Sequence, residues 1–398
     1  MIDHFKNKVA PDMKKELRSI LKYWAENTID FANEGFVGEL DAYGHRNVKA
    51  DKSAVLNTRL LYTFSAAYIF FKESVYLKIA EKAYGYLLRY FWDYKNGGLF
   101  WSVDAKGVVT DNHKQAYAQG FGIYGFTEYY KATGCKESLE CAIGLFQLLE
   151  FKFKDKEFGG YMEALSNDWL PLEDMRLSSK DANEPKSMNT HLHIIEPYTE
   201  LYKVWPRKRL KNSIEDLLFI FKDKIVDGNT FHFNLFFERD WSVKSNIVSY
   251  GHDIEGAWLL NEAAQVIQDQ EMMVQVRELS LKIANATMLD GLDEDGSVFY
   301  EMQGNCLDKD KHWWPQAEAL VGFLDAYQNF SDEKYLKAVE KVWVFILYYM
   351  RDKEYGEWFW KVDEEGVPDR LLPKVGFWKC PYHNARALME AIRRISMI

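Results

Sequence analysis

Hydrophobic positions along the chain fall into two alternating kinds of helical stretch. In the first kind apolar residues recur every three or four positions, as at Leu17, Ile20, Leu21, Trp24, Ala25 and Thr28. Leu77, Ala80 and Tyr84 repeat that spacing beside Lys78, Glu81 and Lys82. Such a stripe predicts a helix with one buried face and one solvated face. The second kind is apolar nearly all round, as in the run that follows Glu255, and predicts a helix buried on every side. Between the two stands a glycine-containing link with short alternating aromatics. The link markers Gly35, Gly98, Gly160, Gly228, Gly296 and Gly356 recur about 60 to 68 residues apart. The run GGLFWSVDAKGVV from Gly97 resembles GEWFWKVDEEGVP from Gly356.

Six units of helix, link and helix therefore make up the chain. Their buried helices are expected to form an inner ring wrapped by the striped ones, an all-α (α/α)6 barrel with hairpin-like links at its mouth. A linear solenoid is the structural alternative, but its end units should carry polar caps, and the terminal units here are not different enough. No linker or low-complexity tract divides the chain, so residues 1–398 are read as one catalytic domain. The longest irregular insertion, residues 169–189 in the third unit, has the length of a functional lid or site wall.

In a closed barrel the start of every inner helix faces one end of the cavity. The units place there Asn57-Thr58-Arg59, Tyr117-Ala118-Gln119, Asn189-Thr190-His191-Leu192-His193, His252 with Glu255, His312-Trp313-Trp314-Pro315-Gln316, and Trp378 through Asn384 with His383. If Ser249 or Tyr250 opens a helix, His252 and Glu255 share one face of an exposed first turn, beside free backbone N–H groups. A single histidine beside an apolar helix is ordinarily a satisfied structural residue. Three at equivalent places in three units point to a site.

Composition removes several kinds of chemistry. The formal net charge of −10 argues against a nucleic-acid partner. Cys135, Cys141, Cys306 and Cys380 show no CxxC spacing and fit a reducing compartment. There is no signal core, and the longest strongly apolar run, residues 342–350, is too short to span a bilayer. A cytoplasmic monomer is expected. Without HExxH or a Cys/His pair, and with His191 and His193 diverging on a helix, no metal is assigned. No phosphate-cradling glycine motif is present, so no cofactor is expected. Trp313, Trp314 and Trp378 suit either sugar stacking or core packing.

A metal-free cavity with histidines, Arg59, a carboxylate and aromatic walls suits proton transfer at a carbon next to a carbonyl. Arg59 is positioned to stabilise an enediolate. His252 and His383, from different units, can remove a proton from one face and return it on the other, which is epimerisation. These motifs resemble those of the cellobiose 2-epimerases, within the N-acylglucosamine 2-epimerase superfamily: Ser187 to His193, Gly251 to Glu255, Trp313-Trp314-Pro315-Gln316-Ala317-Glu318, and Trp378 to Asn384. The resemblance runs along essentially the whole chain.

The resemblance implies an (α/α)6 barrel that converts the reducing-end glucose of β-1,4-linked disaccharides into mannose, cellobiose into glucosyl-mannose and lactose into epilactose. It implies His252 and His383 as the acid/base pair at C2 and His193 as an aid to ring opening or binding. It further implies Arg59 near the enediolate oxygens, Glu255 orienting His252, and sugar contacts from Tyr117, Asn189, Trp314 and Trp378, with Asp181 touching the second sugar. An aldose–ketose isomerase of the same superfamily is the nearest rival. An inverting glycosidase using two of Asp41, Asp104, Asp181 and Glu255 is the next, and it leaves the mouth histidines unexplained.

Overall fold

The computed structural model describes residues 1–398. Six outer helices, Ala10–Asn27, Ser74–Tyr86, Lys136–Leu148, Lys208–Ile220, Gln270–Asp290 and Glu333–Phe345, alternate along the chain with six inner ones. The inner helices are Ala54–Phe71, Ala116–Thr133, Met188–Val204, Tyr250–Ile267, Trp313–Phe330 and Tyr382–Met397. The first inner helix is buried from Ala54 to Ala67 without a break, while the first outer helix buries one face, through Met13, Glu16, Leu17, Ile20, Leu21, Tyr23 and Trp24. One contiguous apolar cluster runs from Phe5 to Ile395. No helix is long and apolar enough to cross a membrane.

The ring closes. Tyr382 of the last inner helix stands edge-on to Tyr62 of the first, ring centroids 5.6 Å apart. Across the same seam the indoles of Trp24 and Trp358 donate to Glu357 and Glu16 at 2.5 and 3.0 Å. At the mouth, strands of two or three residues pair each link antiparallel with the next: Lys52–Ser53 with Ser102–Val103, Lys114–Gln115 with Ala164–Leu165, Lys186–Ser187 with Phe236–Phe237, Ile247–Ser249 with Glu301–Gln303, and Lys311–His312 with Lys361–Val362. Leu40 bridges to Val375 and joins the first link to the sixth. An open solenoid has no such return pair. The fold is the (α/α)6 barrel that the patterning predicts.

Each link also has an internal bridge, Ile29 to Phe36, Trp92 to Leu99, Lys154 to Tyr161, Val226 to Phe233, Leu292 to Val298 and Arg351 to Trp358. An aspartate follows each one: Asp30, Asp93, Asp155, Asp227, Asp293 and Asp352. Its side chain accepts from the next few backbone N–H groups, as Asp93 does from Lys95 and Asn96. The aspartate, rather than the glycine, is therefore the fixed point of the repeat; Gly228 follows Asp227 directly, whereas Gly98 lies well beyond Asp93. Five of these aspartates also hold a buried lysine: Lys52, Lys114, Lys186, Lys311 and Lys374. Four of the five stand immediately before the N-cap of an inner helix. The pairs pin the mouth end of those helices to the links. In the fourth unit His232 takes over, bonded to Asp253 at 2.7 Å and Asp290 at 3.1 Å.

A second clamp sits four residues after the N-cap. Gln119 accepts from Leu99 N and donates to Leu99 O, and Gln316 does the same to Val298. Asp253 accepts from Phe233 N at 2.8 Å. His191 occupies the matching place in the third unit, its Nε2 accepting from Tyr161 N at 2.9 Å while Nδ1 donates to Ser187 O at 2.7 Å. A backbone N–H can only donate, so His191 must stay neutral to keep this bond.

Burial pushes the His191 imidazole down to about 4, below its unfolded value near ~6.5. The unfolded chain then binds the extra proton, and stability is lost as pH falls from about 6.5 toward 4, by at most about 1.4 kcal/mol per pH unit for this group. His191→Gln installs the side chain that the second and fifth units already use there. Thermal unfolding followed across that window is expected to show a shallower pH dependence for the variant than for wild type. An unchanged slope would contradict the role assigned to His191.

Candidate active site

The mouth opens into a cavity of about 500 Å³. Its wall combines the first turns of the inner helices with the third-unit insertion, which contributes Met175 to Ala182. The cavity is lined by Arg59, Tyr117, Asn189, His193, His252, Glu255, Trp313, Trp314, Trp378, His383 and Asp181 among others. Helical register explains how they meet. Tyr117, Asn189 and Trp314 stand two residues after their N-caps, His252 three, and Arg59, His193, Glu255 and Glu318 six. With 3.6 residues per turn, these form a rim and a second layer one turn deeper. His252 belongs to the rim and His193 to the deeper layer, so the histidines do not occupy equivalent places. The expected exposed turn is also covered: Glu255 is fully buried and His252 half-buried.

Hydrogen bonds give the histidines different characters. His383 Nδ1 bonds Glu318 Oε1 at 2.7 Å and His193 Nδ1 bonds Glu196 Oε2 at 3.0 Å. His252 Nδ1 instead bonds the Ser249 hydroxyl at 2.8 Å, a group that can donate or accept. The Nδ1 atom of each ring is engaged. Burial pushes His252 down to about 3, with His193 adding to the shift. Burial, then the Arg59 and Arg386 charges, hold His383 well below its ordinary value. The rings are neutral at pH 7.

Glu255 does not orient His252. Its Oε1 accepts from Arg386 Nη2 at 2.7 Å and lies 3.8 Å from His383 Nδ1, because its place one turn deeper aims it at the barrel axis. Its other oxygen has no protein partner. Burial, and then the Glu318 charge, push this carboxyl well above the usual range. Arg59 meets no carboxylate either. Its Nη2 donates to the Tyr117 hydroxyl at 2.7 Å, Nη1 reaches Trp378 O at 3.4 Å, and the guanidinium lies 4.2 Å over the Phe121 ring.

The rings and polar contacts are arranged around the histidines. Trp314 packs against both His252 and His383, with centroids 4.5 and 5.7 Å away. Trp313 lies across Trp360 at 4.9 Å, and Trp378 stands edge-on to Tyr117 at 6.0 Å. The Asn189 Oδ1 is buried without a protein partner. Asp181 accepts from Ser178 N at 2.8 Å and so shapes the insertion. Asp41 and Asp104 cap exposed turns outside the cavity, which removes two of the four carboxylates weighed for a glycosidase.

Three groups at the centre of this network went unassigned in the sequence: Glu196, Glu318 and Arg386. Glu318 was legible from register, since it stands six residues after the fifth N-cap, as Glu255 does after the fourth. Arg386 had no such signal because the sixth link ends irregularly, with Pro381 before the helix. Glu255, Glu318 and His383 present donor atoms within 4.8 Å of one another, a spacing open to a metal ion. Arg386 Nη2 already lies 2.7 and 2.6 Å from the two carboxylates. The donor set is therefore neutralised by a protein cation, and no metal is assigned to it.

Residues 35–387 match the family model described as N-acylglucosamine 2-epimerase (GlcNAc 2-epimerase). The chain is 44% identical over 384 residues to a cellobiose 2-epimerase of Bacteroides fragilis, covering 96% of this chain and 98% of that protein. Its structure is similar to that of a cellobiose 2-epimerase from Bacillus thermoamylovorans, with a TM-score of 0.93 at 38% identity, covering 98% and 100% of the two chains. A D-mannose isomerase structure shares the fold at a TM-score of 0.84 and 20% identity, over 96% of this chain and 97% of that one.

Gly251 makes the placement of Trp314 possible, since a Cβ there would lie 2.6 Å from the Trp314 ring and 2.8 Å from Pro315. Gly251→Ala must therefore move the indole that touches both histidines. A displacement near 1 Å costs on the order of 10²-fold in rate. The expected result is a fall of roughly 10- to 100-fold in kcat/KM with the helical circular-dichroism signal retained. Wild-type turnover would contradict the placement.

Proposed function

Because the chain belongs to the N-acylglucosamine 2-epimerase family, we propose that it is an isomerase that epimerises C2 of the reducing-end sugar in β-1,4-linked disaccharides. Cellobiose gives glucosyl-mannose and lactose gives epilactose. Residues 1–398 act as one catalytic domain, without cofactor or metal. The four unpaired thiols suit a reducing cytoplasmic compartment, and the protein acts as a monomer.

The observation that carries this reading is the pair of histidines, His252 and His383, that both pack against Trp314 at the cavity wall. His193 assists opening of the ring by moving the O1 proton to O5, which exposes the aldehyde. One of His252 and His383 then takes the C2 proton through its Nε2. The electron pair moves into the C1–C2 bond and the carbonyl oxygen becomes an enediolate oxyanion. Arg59, with no carboxylate of its own, and the Tyr117 hydroxyl stabilise that charge. The second histidine enters this step as the imidazolium, having taken a proton from water at Nε2. It delivers that proton to the opposite face of C2 and returns to neutral while the first becomes the imidazolium, and ring closure completes the epimer. Each histidine ends with the opposite protonation state, and its Nδ1 partner tolerates the change. General acid–base groups of this kind contribute about 10²–10⁴-fold each.

Asn189, Trp313, Trp314 and Trp378 bind the reacting sugar. Asp181, on the third-unit insertion, binds the second sugar, which selects a disaccharide over a monosaccharide. Purified protein incubated with cellobiose alone is expected to yield glucosyl-mannose as the main product by chromatography against standards. A ketose as the main product would make the protein an isomerase of the aldose–ketose type, and free glucose would make it a hydrolase.

A further inference from the structure

Arg386 makes four side-chain hydrogen bonds at the centre of the barrel, and the mechanism above gives it no step. It is fully buried on the sixth inner helix. Its Nη1 donates to Glu196 Oε1 and to the Tyr382 hydroxyl, and Tyr382 donates to the same Glu196 oxygen. Its Nη2 donates to Glu255 and to Glu318 Oε1 at 2.7 and 2.6 Å. The guanidinium also lies over the rings of Trp258 and Tyr382, 4.9 and 4.3 Å from their centroids. One planar fork thus joins carboxylates from three neighbouring inner helices.

The donors around Glu318 cannot reverse. Arg386 only donates, and so does the Trp258 indole, which reaches Glu318 Oε2 at 3.2 Å. Glu318 is held as an acceptor on both oxygens, so His383 Nδ1 must be the donor in their 2.7 Å bond. Its Nε2 then carries the lone pair. The same logic runs through Glu196, whose Oε1 accepts from Arg386 and Tyr382 while Oε2 faces His193 Nδ1 at 3.0 Å. His252 lies outside this network on a hydroxyl that can serve either way.

We infer that Arg386 is a positioning residue that sets the tautomers of His383 and His193 together, through Glu318 and Glu196, and leaves His252 free to take either. The inference deepens the epimerase reading and rests on it for its catalytic meaning. The charged and titratable groups facing these rings are Arg59 and Tyr117 from the first two inner helices, Glu196 from the third, His252 and Glu255 from the fourth, Glu318 from the fifth, and Tyr382 and Arg386 from the sixth. The Arg386 charge is among those that lower both histidines. Its loss leaves three carboxylates beside them and draws protons onto both rings.

The test uses the full chain labelled with ¹⁵N-histidine, read by NMR of the ring nitrogens without substrate, with His193→Asn and His383→Asn to assign the signals. In wild type both rings are expected to be neutral with the proton on Nδ1. Arg386→Gln is expected to move their protonation up by at least about one pH unit and, with cellobiose, to lower kcat/KM by about 100-fold or more with its acid limb shifted likewise. Arg386→Lys keeps the charge but cannot reach three carboxylates at once. It is expected to fold, to keep the wild-type protonation range, and to lose about tenfold or more in kcat with little change in KM.

A wild-type kcat in Arg386→Lys, or rings in a folded Arg386→Gln that titrate as in wild type, would overturn the inference. If Arg386→Gln does not fold, the wild-type tautomers and Arg386→Lys decide it alone. Failure of wild type to turn over cellobiose would count against the epimerase reading and leave the ring-nitrogen result to stand separately.

Discussion

A single buried guanidinium holds the centre of this barrel together. Arg386 meets Glu196, Glu255 and Glu318, carboxylates from three successive inner helices. Without it these groups would face one another while buried, where like charges a few ångströms apart cannot all stay ionised. With it, each has a fixed donor, and two of them pass a direction to a histidine. Glu318 directs His383 and Glu196 directs His193. The network is a weak source of net stability, as buried ion pairs generally are. Its effect is on which atoms carry protons.

The repeat brings these groups to one depth. Each inner helix begins beyond an aspartate-centred link; five links lock a buried lysine, four of them immediately before the helix N-cap. The fourth residue after the N-cap is then spent on the link backbone in four units, and the sixth points to the axis. Arg59, His193, Glu255 and Glu318 arrive at the axis by this rule. The far end is closed by a different polar belt. Lys131 joins Glu200 at 3.0 Å, Lys203 joins Glu262 at 2.8 Å and Arg394 joins Asp325 at 2.9 Å, each tying one inner helix to the next. Chemistry is thereby confined to the mouth.

Much of this is legible in the sequence. The two kinds of helix follow from burial on one face or all faces, and their alternation across six units leaves few architectures. The mouth residues followed from the same count, because every inner helix starts after a link. What stayed hidden depended on partners rather than pattern. Glu255 reads as the neighbour of His252 along one helix, yet the axis turns it toward Arg386 and His383, residues far away in sequence. His191 and His193 look alike in the sequence, and only the backbone N–H of Tyr161 marks the first as structural. The glycines mark the repeat only loosely, because the aspartates carry the turn. Arg386 lies in an amphipathic helix where an arginine ordinarily faces solvent.

The central claim is that two histidines serve opposite faces of one carbon. Its most direct measurement is the exchange of the C2 hydrogen with D₂O, followed by NMR from each epimer separately, in His252→Asn and in His383→Asn. Net epimerisation should be lost in both variants. Each should still exchange deuterium into one epimer, a different one in each case, because the remaining histidine can remove and return a proton on its own face. Loss of exchange from both epimers in one variant, with the other variant exchanging both, would contradict the account and leave a single base.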